Sequence, residues 1–268
     1  MKNIEIREIN KLTTSNYYLA YLDILGTRDI VAKDKDDRYL NELNKIYENA
    51  INTKLTINNW DNIHINAKIF SDNILLFIKL DGQNDENKLM SLISLSAMIQ
   101  CRALDRGYLL RGCITCGDFF ENERFVHSQA LINAVNLEEK NAIYPRIIID
   151  NDCLNCFDLI TTIDENCENC DIQERTRDRC VKYCGKKIIK QDNDGWYFVN
   201  PYRSHIGGGF DNFKKQLLKN LKKNKNNLKA KQKIMWSINY HNNFFINGHG
   251  LTSGNHKISE EEITNATK

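Results

Sequence analysis

The sequence of 268 residues contains no run of 18 apolar residues and no secretory-signal pattern after Met1. The first absence argues against a transmembrane helix, and the second leads us to expect a cytoplasmic protein with no membrane contact of its own. A charge excess is also lacking, because 37 Lys and Arg residues balance 35 Asp and Glu residues to a net charge of +2. That balance argues neither for nor against an acidic partner. Only two prolines occur, and we attach no function to their scarcity.

What the sequence does contain is typical of a globular protein. Hydrophobic residues make up 41% and charged residues 27%, and the length suits one large domain or two small ones. Nine cysteines are present, an odd number. Without a secretory signal they are expected to be free thiols or metal ligands and not disulfides.

One apolar stretch, Tyr17 to Thr27, predicts a strand that is buried on both faces. Asp23 lies near its end, where a carboxylate is costly to bury unless a cation or a hydrogen-bond donor meets it. Gly26 permits a sharp turn, and the spacing of apolar residues from Thr27 to Ile51 predicts a helix. The alternative is that Asp23 only caps that helix.

A second stretch, Ile63 to Ile78, contains two β-prone runs around Ser71-Asp72-Asn73 and predicts a tight hairpin. Asp72 is therefore expected at the tip of a buried hairpin. Two acids at strand ends, each in an apolar frame, favour a shared divalent cation over a simple turn residue, because uncompensated like charges would force one acid to take up a proton.

The order of predicted elements is β-α-β-β-α-β followed by a further αβ unit. This order indicates an α+β protein with a ferredoxin-like, palm-like αβ sandwich. We expect a core over residues 1–150, a Cys-rich insertion over 151–187, a β-hairpin and C-terminal helices that pack on the core over 188–247, and a flexible tail over 248–268.

The Cys-rich insertion suggests a metal. Four of its six cysteines are spaced so that their thiolates could form a tetrahedral zinc site, and Cys153 with Cys156 could replace one pair. The alternative is a loop of reduced thiols. By contrast, Cys113 and Cys116 fall on opposite faces of a predicted strand and are interpreted as core thiols. The possible zinc ligands are Cys167, Cys170, Cys180 and Cys184.

The C-terminal region from Phe213 to Phe245 predicts one long helix or two, with nine lysines between Lys214 and Lys233. Such a lysine-rich surface could bind nucleic acid. We favour a solvated helix face that covers the core, so nucleic acid is not an expected partner.

The motifs together resemble the class III nucleotide cyclases. Asp23-Ile24-Leu25-Gly26 matches that family's first-strand Asp-Ile-x-Gly, and Lys68 to Asp72 is similar to its Lys-x-x-Gly-Asp, with Ser71 in place of glycine. Arg111 to Gly117 is close to Arg-x-Gly-x-x-x-Gly, one residue short. Val135 to Lys140 is similar to Val-Asn-x-Ala-x-Arg, with lysine where the arginine belongs. The resemblance covers roughly residues 17 to 150.

Within that family the sequence looks most like the bacterial pyrimidine cyclases of the Pycsar anti-phage systems. The shared stretches are Leu22 to Gly26, Phe70 to Asp72, Leu110 to Gly112, Ala134 to Glu138, Pro145 to Ile147, Asp192 to Phe198 and Tyr240 to Asn242. Their order and spacing are fairly specific to the superfamily and less specific to pyrimidine activity.

The resemblance implies a set of site residues. Two divalent cations, Mn²⁺ or Mg²⁺, would be held by the carboxylates of Asp23 and Asp72 and by the Ile24 carbonyl. The backbone at Leu25, Gly26 and Thr27 would donate to phosphate. The other implied roles are catalysis by Asn136, Lys140 and Arg111, and base recognition by Lys68 and Gln129.

Two of these roles have alternatives. Lys68 is equally well interpreted as a solvated strand residue. Lys140 cannot copy the two-pronged arginine contact to phosphate, so it acts as a point charge, or Arg146 or Arg111 takes its place, or the enzyme is weak or inactive.

The resemblance implies an enzyme that forms a homodimer with shared sites. We expect it to convert a nucleoside triphosphate, UTP or CTP, into the 3′,5′-cyclic mononucleotide and pyrophosphate as a second messenger in anti-phage defence. The alternative is a catalytically silent, cyclase-like binding module. Its Cys-rich loop and basic helix would then contact nucleic acid or a partner protein.

Overall fold

The computed structural model describes residues 11–32, 34, 36–61, 63–155, 188–203, 210–246 and 256–268. The four possible zinc ligands and Cys156 lie outside these residues, as does most of the expected Cys-rich insertion. The division of the chain at residues 150, 187 and 247 therefore stays a prediction.

The described part of the chain is organised around one mixed sheet in the order β2-β3-β1-β4-β6-β8-β7, with β5 paired to β4. Only β4 and β6 run parallel; all other neighbours are antiparallel. The strands are β1 (Ser15–Ile24), β2 (Asn66–Phe70), β3 (Asn73–Lys79), β4 (Leu110–Glu121), β5 (Val126–Ser128), β6 (Ile147–Ile149), β7 (Ile189–Gln191) and β8 (Tyr197–Val199).

Helices cover this sheet and extend its C-terminal side. They are α1 (Thr27–Val31), α2 (Arg38–Asp61), α3 (Asp85–Asp105), α4 (Gln129–Asn141), α5 (Asn151–Asn155), α6 (Phe210–Lys223), α7 (Leu228–Ile246) and α8 (Glu260–Thr267), with a 3-10 turn at Pro201–Arg203. The predicted α+β class and the β-α-β-β-α-β order are confirmed. None of the described helices is both long and apolar enough to cross a bilayer.

The central position of β1 in the sheet explains why its sequence is a continuous apolar run. This strand lies between β3 and β4, and Leu19, Ala20 and Leu22 are fully buried. Because both faces of β1 are covered, apolar residues need not alternate with polar ones. The fully buried Leu92 and Ile93 of α3 belong to the same core cluster as Ala20 and Leu22.

The predicted helix from Thr27 to Ile51 is wrong in its bounds, since the chain breaks it into α1 and α2. The carboxylate of Asp34 accepts hydrogen bonds from the backbone N–H groups of Arg38 and Tyr39, with N···O distances of 3.0 and 2.9 Å. Asp37 has φ +54°, which a continuous helix does not allow. A capping carboxylate thus starts a new helix inside an apolar pattern that favoured one helix.

A second apolar cluster joins the C-terminal helices to the end of α3. The open question of one helix or two is answered by a break between Lys223 and Leu228. The cluster includes Leu104 from α3, Phe213 and Leu217 from α6 and Ile238 from α7. The C-terminal helices therefore pack against the end of α3.

Gly112 on β4 lies so close to β1 that a side chain has no room. A Cβ atom there would lie 2.3 Å from the Tyr21 carbonyl oxygen and 2.9 Å from Cδ2 of Leu22. We predict that Gly112→Ala lowers the free energy of unfolding by about 1–3 kcal/mol, because the β1–β4 contact must open. Urea unfolding measures this change.

The matched control for Gly112→Ala is Gly82→Ala, where a Cβ meets nothing within 4 Å but φ is +77°. That control should cost only the backbone strain of about 1 kcal/mol. Equal stability of Gly112→Ala and the wild type would contradict the close approach of β1 and β4.

Candidate functional site

The end of β1 and the β2–β3 turn lie side by side. The Ile24 N–H donates to the backbone carbonyl of Asp72 (N···O 3.3 Å), and Asp23 is in register with Asn73 of β3. Ser71 forms the turn with φ +56°, a conformation in which glycine is preferred. Serine therefore occupies a turn position that favours glycine, and the turn places Asp72 beside the end of β1.

Asp23 is also opposite Arg111 of β4, and this pairing creates a buried charge cluster. Arg111 Nε lies 3.2 Å from Oδ2 of Asp23, and the same nitrogen contacts Oε1 of Glu138 on α4. Glu138 is only 3% exposed. One guanidinium thus bridges two carboxylates that belong to a strand and a helix.

Glu138 was not among the expected site residues. Its only sequence signal was its place at the end of the Ala134–Glu138 stretch. A glutamate on a helix is usually exposed, and nothing in the local pattern of α4 shows that this one lies over Arg111.

The charges of this cluster perturb one another. Burial raises the pKa of Asp23, which Arg111 opposes and the nearby Asp72 reinforces. Burial raises the pKa of Glu138 to about 7, again against the influence of Arg111 and with a contribution from Asp23. Two carboxylates therefore share one guanidinium, Asp72 adds a third negative charge nearby, and a further cation at Asp23 and Asp72 would relieve their repulsion.

The oxygen atoms near Asp23 and Asp72 fit a divalent cation of the Mg²⁺ or Mn²⁺ type. The side-chain oxygen Oδ1 of Asn73, next to Asp72, is buried and accepts no hydrogen bond from a described residue. The Ile24 carbonyl accepts one hydrogen bond, from the Thr27 hydroxyl at 2.7 Å. Such an all-oxygen donor set suits hard cations, which complete their coordination with water and phosphate.

No group of three or more His, Cys, Asp or Glu side chains with metal-binding geometry occurs among the residues that the structure describes.

The β1–α1 connection offers fewer phosphate donors than expected. The Leu25 N–H donates to the Leu109 carbonyl (N···O 2.9 Å), so it is already used. Thr27 is buried, and its hydroxyl also accepts a hydrogen bond from Tyr39 at 3.2 Å. Gly26 has φ +83° with open space around it. Of the three backbone N–H groups predicted to donate to a phosphate, those of Gly26 and Thr27 remain as candidates.

The other predicted residues of α4 lie on its opposite face. Gln129, Asn136 and Lys140 are exposed, whereas Glu138 is buried. Asn136 and Glu138 are two residues apart, which separates them by roughly 200° around a helix. Within one chain, Asn136 and Lys140 therefore do not join the cluster at Arg111.

The two residues predicted to read the base are held by local contacts. Nζ of Lys68 lies 2.8 Å from Oε2 of Glu121 and donates to the Asn122 carbonyl at 2.7 Å. Gln129 donates to Oδ1 of Asn133 at 3.0 Å. Lys68 is therefore not freely solvated, because its ammonium group already contacts two protein groups. These contacts do not assign it a ligand.

Arg146 is 1% exposed, and its guanidinium forms ion pairs with the carboxylates of Asp192 and Asp194. The rings of Tyr144 and Trp236 lie 5.7 and 5.9 Å from its central carbon. This packing corrects the expectation that Arg146 reaches a phosphate, because its charge is satisfied inside the chain. It also gives the Asp192–Phe198 stretch a structural role.

The two strand cysteines differ in exposure. Cys113 is fully buried, as expected for a core thiol, and burial raises its pKa. Cys116 is only half-buried, and a hydrogen bond with Cys153 lowers its pKa.

No family model and no curated protein matches this sequence. Solved structures similar to it include the adenylyl cyclase CyaB from P. aeruginosa, at 14% identity over 55% of this chain and 82% of that chain, with TM-score 0.44. The monomeric guanylyl cyclase domain of the RhoGC fusion protein from the aquatic fungus Blastocladiella emersonii is 10% identical over 70% and 98%, with TM-score 0.43. The guanylate cyclase domain of RhGC from Catenaria anguillulae in complex with GTP is 10% identical over 54% and 83%, with TM-score 0.39.

These identities are low and the superpositions partial, so function has to be inferred from the residues of the site.

The raised pKa of Glu138 predicts a pH-dependent stability. Its pKa of about 7 lies above the ordinary value of 4.5, so the folded state binds its proton more tightly than the unfolded state. The stabilisation is present below pH 4.5 and is lost as the pH rises towards 7. We expect the free energy of unfolding of the wild type, relative to Glu138→Gln, to fall by about 1–3 kcal/mol between pH 4.5 and 8.

Urea unfolding of both proteins at four pH values, with chelator present, measures this difference. A difference that does not change with pH would show that folding does not raise the pKa of Glu138.

Proposed function

We propose that the protein is a nucleotide cyclase that converts a nucleoside triphosphate into the 3′,5′-cyclic mononucleotide and pyrophosphate. The observation that carries this proposal is the pair Asp23 and Asp72, placed side by side at a strand end and a hairpin turn. Arg111 contacts Asp23, and Glu138 contacts Arg111. Such a site presents carboxylates at an open edge, as phosphoryl-transfer chemistry with divalent cations requires.

The proposed reaction is one displacement at phosphorus. The ribose 3′-oxygen forms a bond to the α-phosphorus, the bond from the α-phosphorus to the bridging oxygen breaks, and pyrophosphate leaves with that electron pair. The hydroxyl proton passes to solvent or to a nearby base. Divalent cations, when bound, would supply charge for the attacking and leaving oxygens.

The chain's own part in this reaction is positioning. Asp23 and Asp72 present oxygen ligands, and the open space at Gly26 lets a phosphate approach the backbone. Arg111 fixes the orientation of Asp23 through its contact with Oδ2, and Glu138 in turn holds Arg111. Holding the 3′-hydroxyl in line with the α-phosphate can contribute several kcal/mol to the rate.

The preferred base is proposed from the sequence motifs alone. The similarity to the pyrimidine cyclases supports UTP or CTP as substrate and a cyclic pyrimidine nucleotide as a signal in anti-phage defence. Lys68 and Gln129 would then contact the base, since a glutamine offers both a donor and an acceptor to a base edge.

A homodimer would explain why some predicted site residues lie close to Asp23 whereas others are exposed on the far side of α4. Gln129, Asn136 and Lys140 are turned away from Asp23 within one chain, on the exposed face of α4. Exposed apolar side chains, Ile132 at 55% and Ile143 at 54%, lie near them. We therefore propose that the exposed residues of α4 complete the site of a second copy, as the resemblance implies.

The catalytic proposal predicts that Asp23→Asn and Asp72→Asn each abolish turnover without unfolding the chain. Each change removes one carboxylate charge from the proposed cation site. The measurement incubates the protein with each of the four nucleoside triphosphates and Mn²⁺ or Mg²⁺ and identifies products by mass. Wild type should give a cyclic product, with UTP or CTP preferred.

Asp118→Asn is the control for this experiment, because Asp118 is an exposed aspartate further along β4. It should leave turnover unchanged. Normal product formation by Asp23→Asn or Asp72→Asn would contradict the assignment, and preference for ATP or GTP would remove only the pyrimidine part of the proposal.

The shared-site proposal predicts complementation between inactive chains. Asp23→Asn and Asn136→Ala should each be inactive alone, because each damages a different half of both sites. Mixed dimers carry one intact site, so co-expression should restore roughly a quarter of the wild-type activity.

Co-expression of Asp23→Asn with Asp72→Asn is the control, since both changes damage the same half and no intact site can form. The two chains carry different tags, so that purification through both isolates mixed dimers. Purified Asp23→Asn and Asn136→Ala mixed dimers without activity would show that the site is not divided between two copies in this way.

A further inference from the structure

A large cleft lies beside the candidate site, between the core and the C-terminal helices. Its volume is about 690 Å³, within the range of small-molecule sites. Leu25 and Gly26 form one wall, with the start of α2 and residues 106–109 after α3, and α6 and α7 form the other. The C-terminal extension therefore does more than cover apolar surface, because it encloses a space next to the β1–α1 connection.

Positive charge dominates the walls of this cleft. Of the described residues, only two acidic side chains line it, and both already have partners. Asp34 accepts backbone N–H groups at the start of α2, and Glu42 pairs with Arg106 and with Lys45. The cationic residues that line the cleft are Arg38, Arg106, Lys219, Lys223, Lys229 and Lys233.

The four lysines form two pairs on the wall that α6 and α7 provide. Lys219 and Lys223 are one helical turn apart on α6, and Lys229 and Lys233 are one turn apart on α7. Among the described residues, no carboxylate lies within 4.0 Å of their Nζ atoms. Like charges four residues apart destabilise a helix, so two such pairs around one space favour an anionic occupant.

The cleft lies next to the carboxylate cluster, although the cluster residues are not part of its lining. Gly26, in its wall, is three residues after Asp23. Lys233 is half-buried, and its pKa is lowered by burial and by the nearby Arg111, while Glu138 and Asp23 oppose that shift. A ligand along the lysines would therefore reach from α6 to the edge where Asp23 and Asp72 lie.

We propose that this cleft binds the polyphosphate chain of the nucleoside triphosphate, with the lysines of α6 and α7 supplying its positive charge from the same chain as Asp23. The inference rests on the proposed function and extends it to the C-terminal helices. It also gives a source of cationic charge where Lys140 replaces the family's arginine and Arg146 is engaged elsewhere.

The test uses inorganic tripolyphosphate as the probe and measures its affinity by calorimetry at low ionic strength. The Lys219→Gln/Lys223→Gln variant removes two charges from the cleft. The matched control is Lys215→Gln/Lys222→Gln, which removes two exposed lysines from the same helix outside the cleft. We expect about a tenfold or greater loss of affinity in the cleft variant and less than about a twofold loss in the control.

Three results would overturn the proposal. Equal losses in both variants would show attraction by the general positive charge of α6. Absence of tripolyphosphate binding to the wild type would show that the cleft does not hold a polyphosphate. Tighter binding of a single-stranded oligonucleotide, lost in the same cleft variant, would assign the lysines to nucleic acid.

Product assays separate this inference from the proposed function. If a cyclic product forms, the cleft variant should raise KM for the nucleoside triphosphate more than it lowers kcat, and an unchanged KM would remove the cleft from the account while the cyclase stands. If no cyclic product forms but tripolyphosphate binding is lost only in the cleft variant, the polyphosphate site stands and the cyclase proposal fails.

Discussion

The contact of the Arg111 guanidinium with Asp23 and Glu138 is the interaction on which the candidate site depends. Carboxylates that leave water need a counter-charge, and here one guanidinium serves two of them. The register of β1 and β4 places Arg111 opposite Asp23, and Gly112 next to it lets the strands approach. Removal of Arg111 would take away the guanidinium that both Asp23 and Glu138 contact, so the charge balance of the site depends on the pairing of β1 with β4.

This arrangement divides the residues of the candidate site into two groups. Asp23, Asp72, Arg111 and Glu138 are brought together inside one chain. By contrast, Asn136 and Lys140 lie on the exposed side of α4, and in the proposed function a second copy would bring them to a nucleotide. The lysines of the C-terminal helices are on the same chain as the carboxylates, and the proposed polyphosphate site would extend to them.

The sequence predicted those parts of the fold whose signal is local. The continuous apolar run of β1 and the β-prone runs around Asp72 gave the strands, and helical periodicity gave α3. Local patterns could not show that Asp34 caps a new helix at Arg38. They also could not show that Arg146 would be buried against aspartates more than 40 residues away.

The sequence likewise predicted some residues of the candidate site and missed others. Asp23 and Asp72 stood out because a charge interrupts an apolar frame. Glu138 did not stand out, because it is buried by packing of α4 against Arg111 of β4, and this tertiary contact leaves no local sequence pattern. The lysines of α6 and α7 were interpreted as a solvated face, since their spacing says nothing about the opposite wall of a cleft.

Manganese binding in the absence of nucleotide tests the central claim most directly, because it examines the carboxylate pair without requiring turnover. Electron paramagnetic resonance of free Mn²⁺ during titration with protein gives the number and affinity of bound ions. The account predicts that the wild type binds Mn²⁺ and that Asp23→Asn and Asp72→Asn each weaken that binding, while Asp118→Asn does not. Identical Mn²⁺ binding by all four proteins would contradict it.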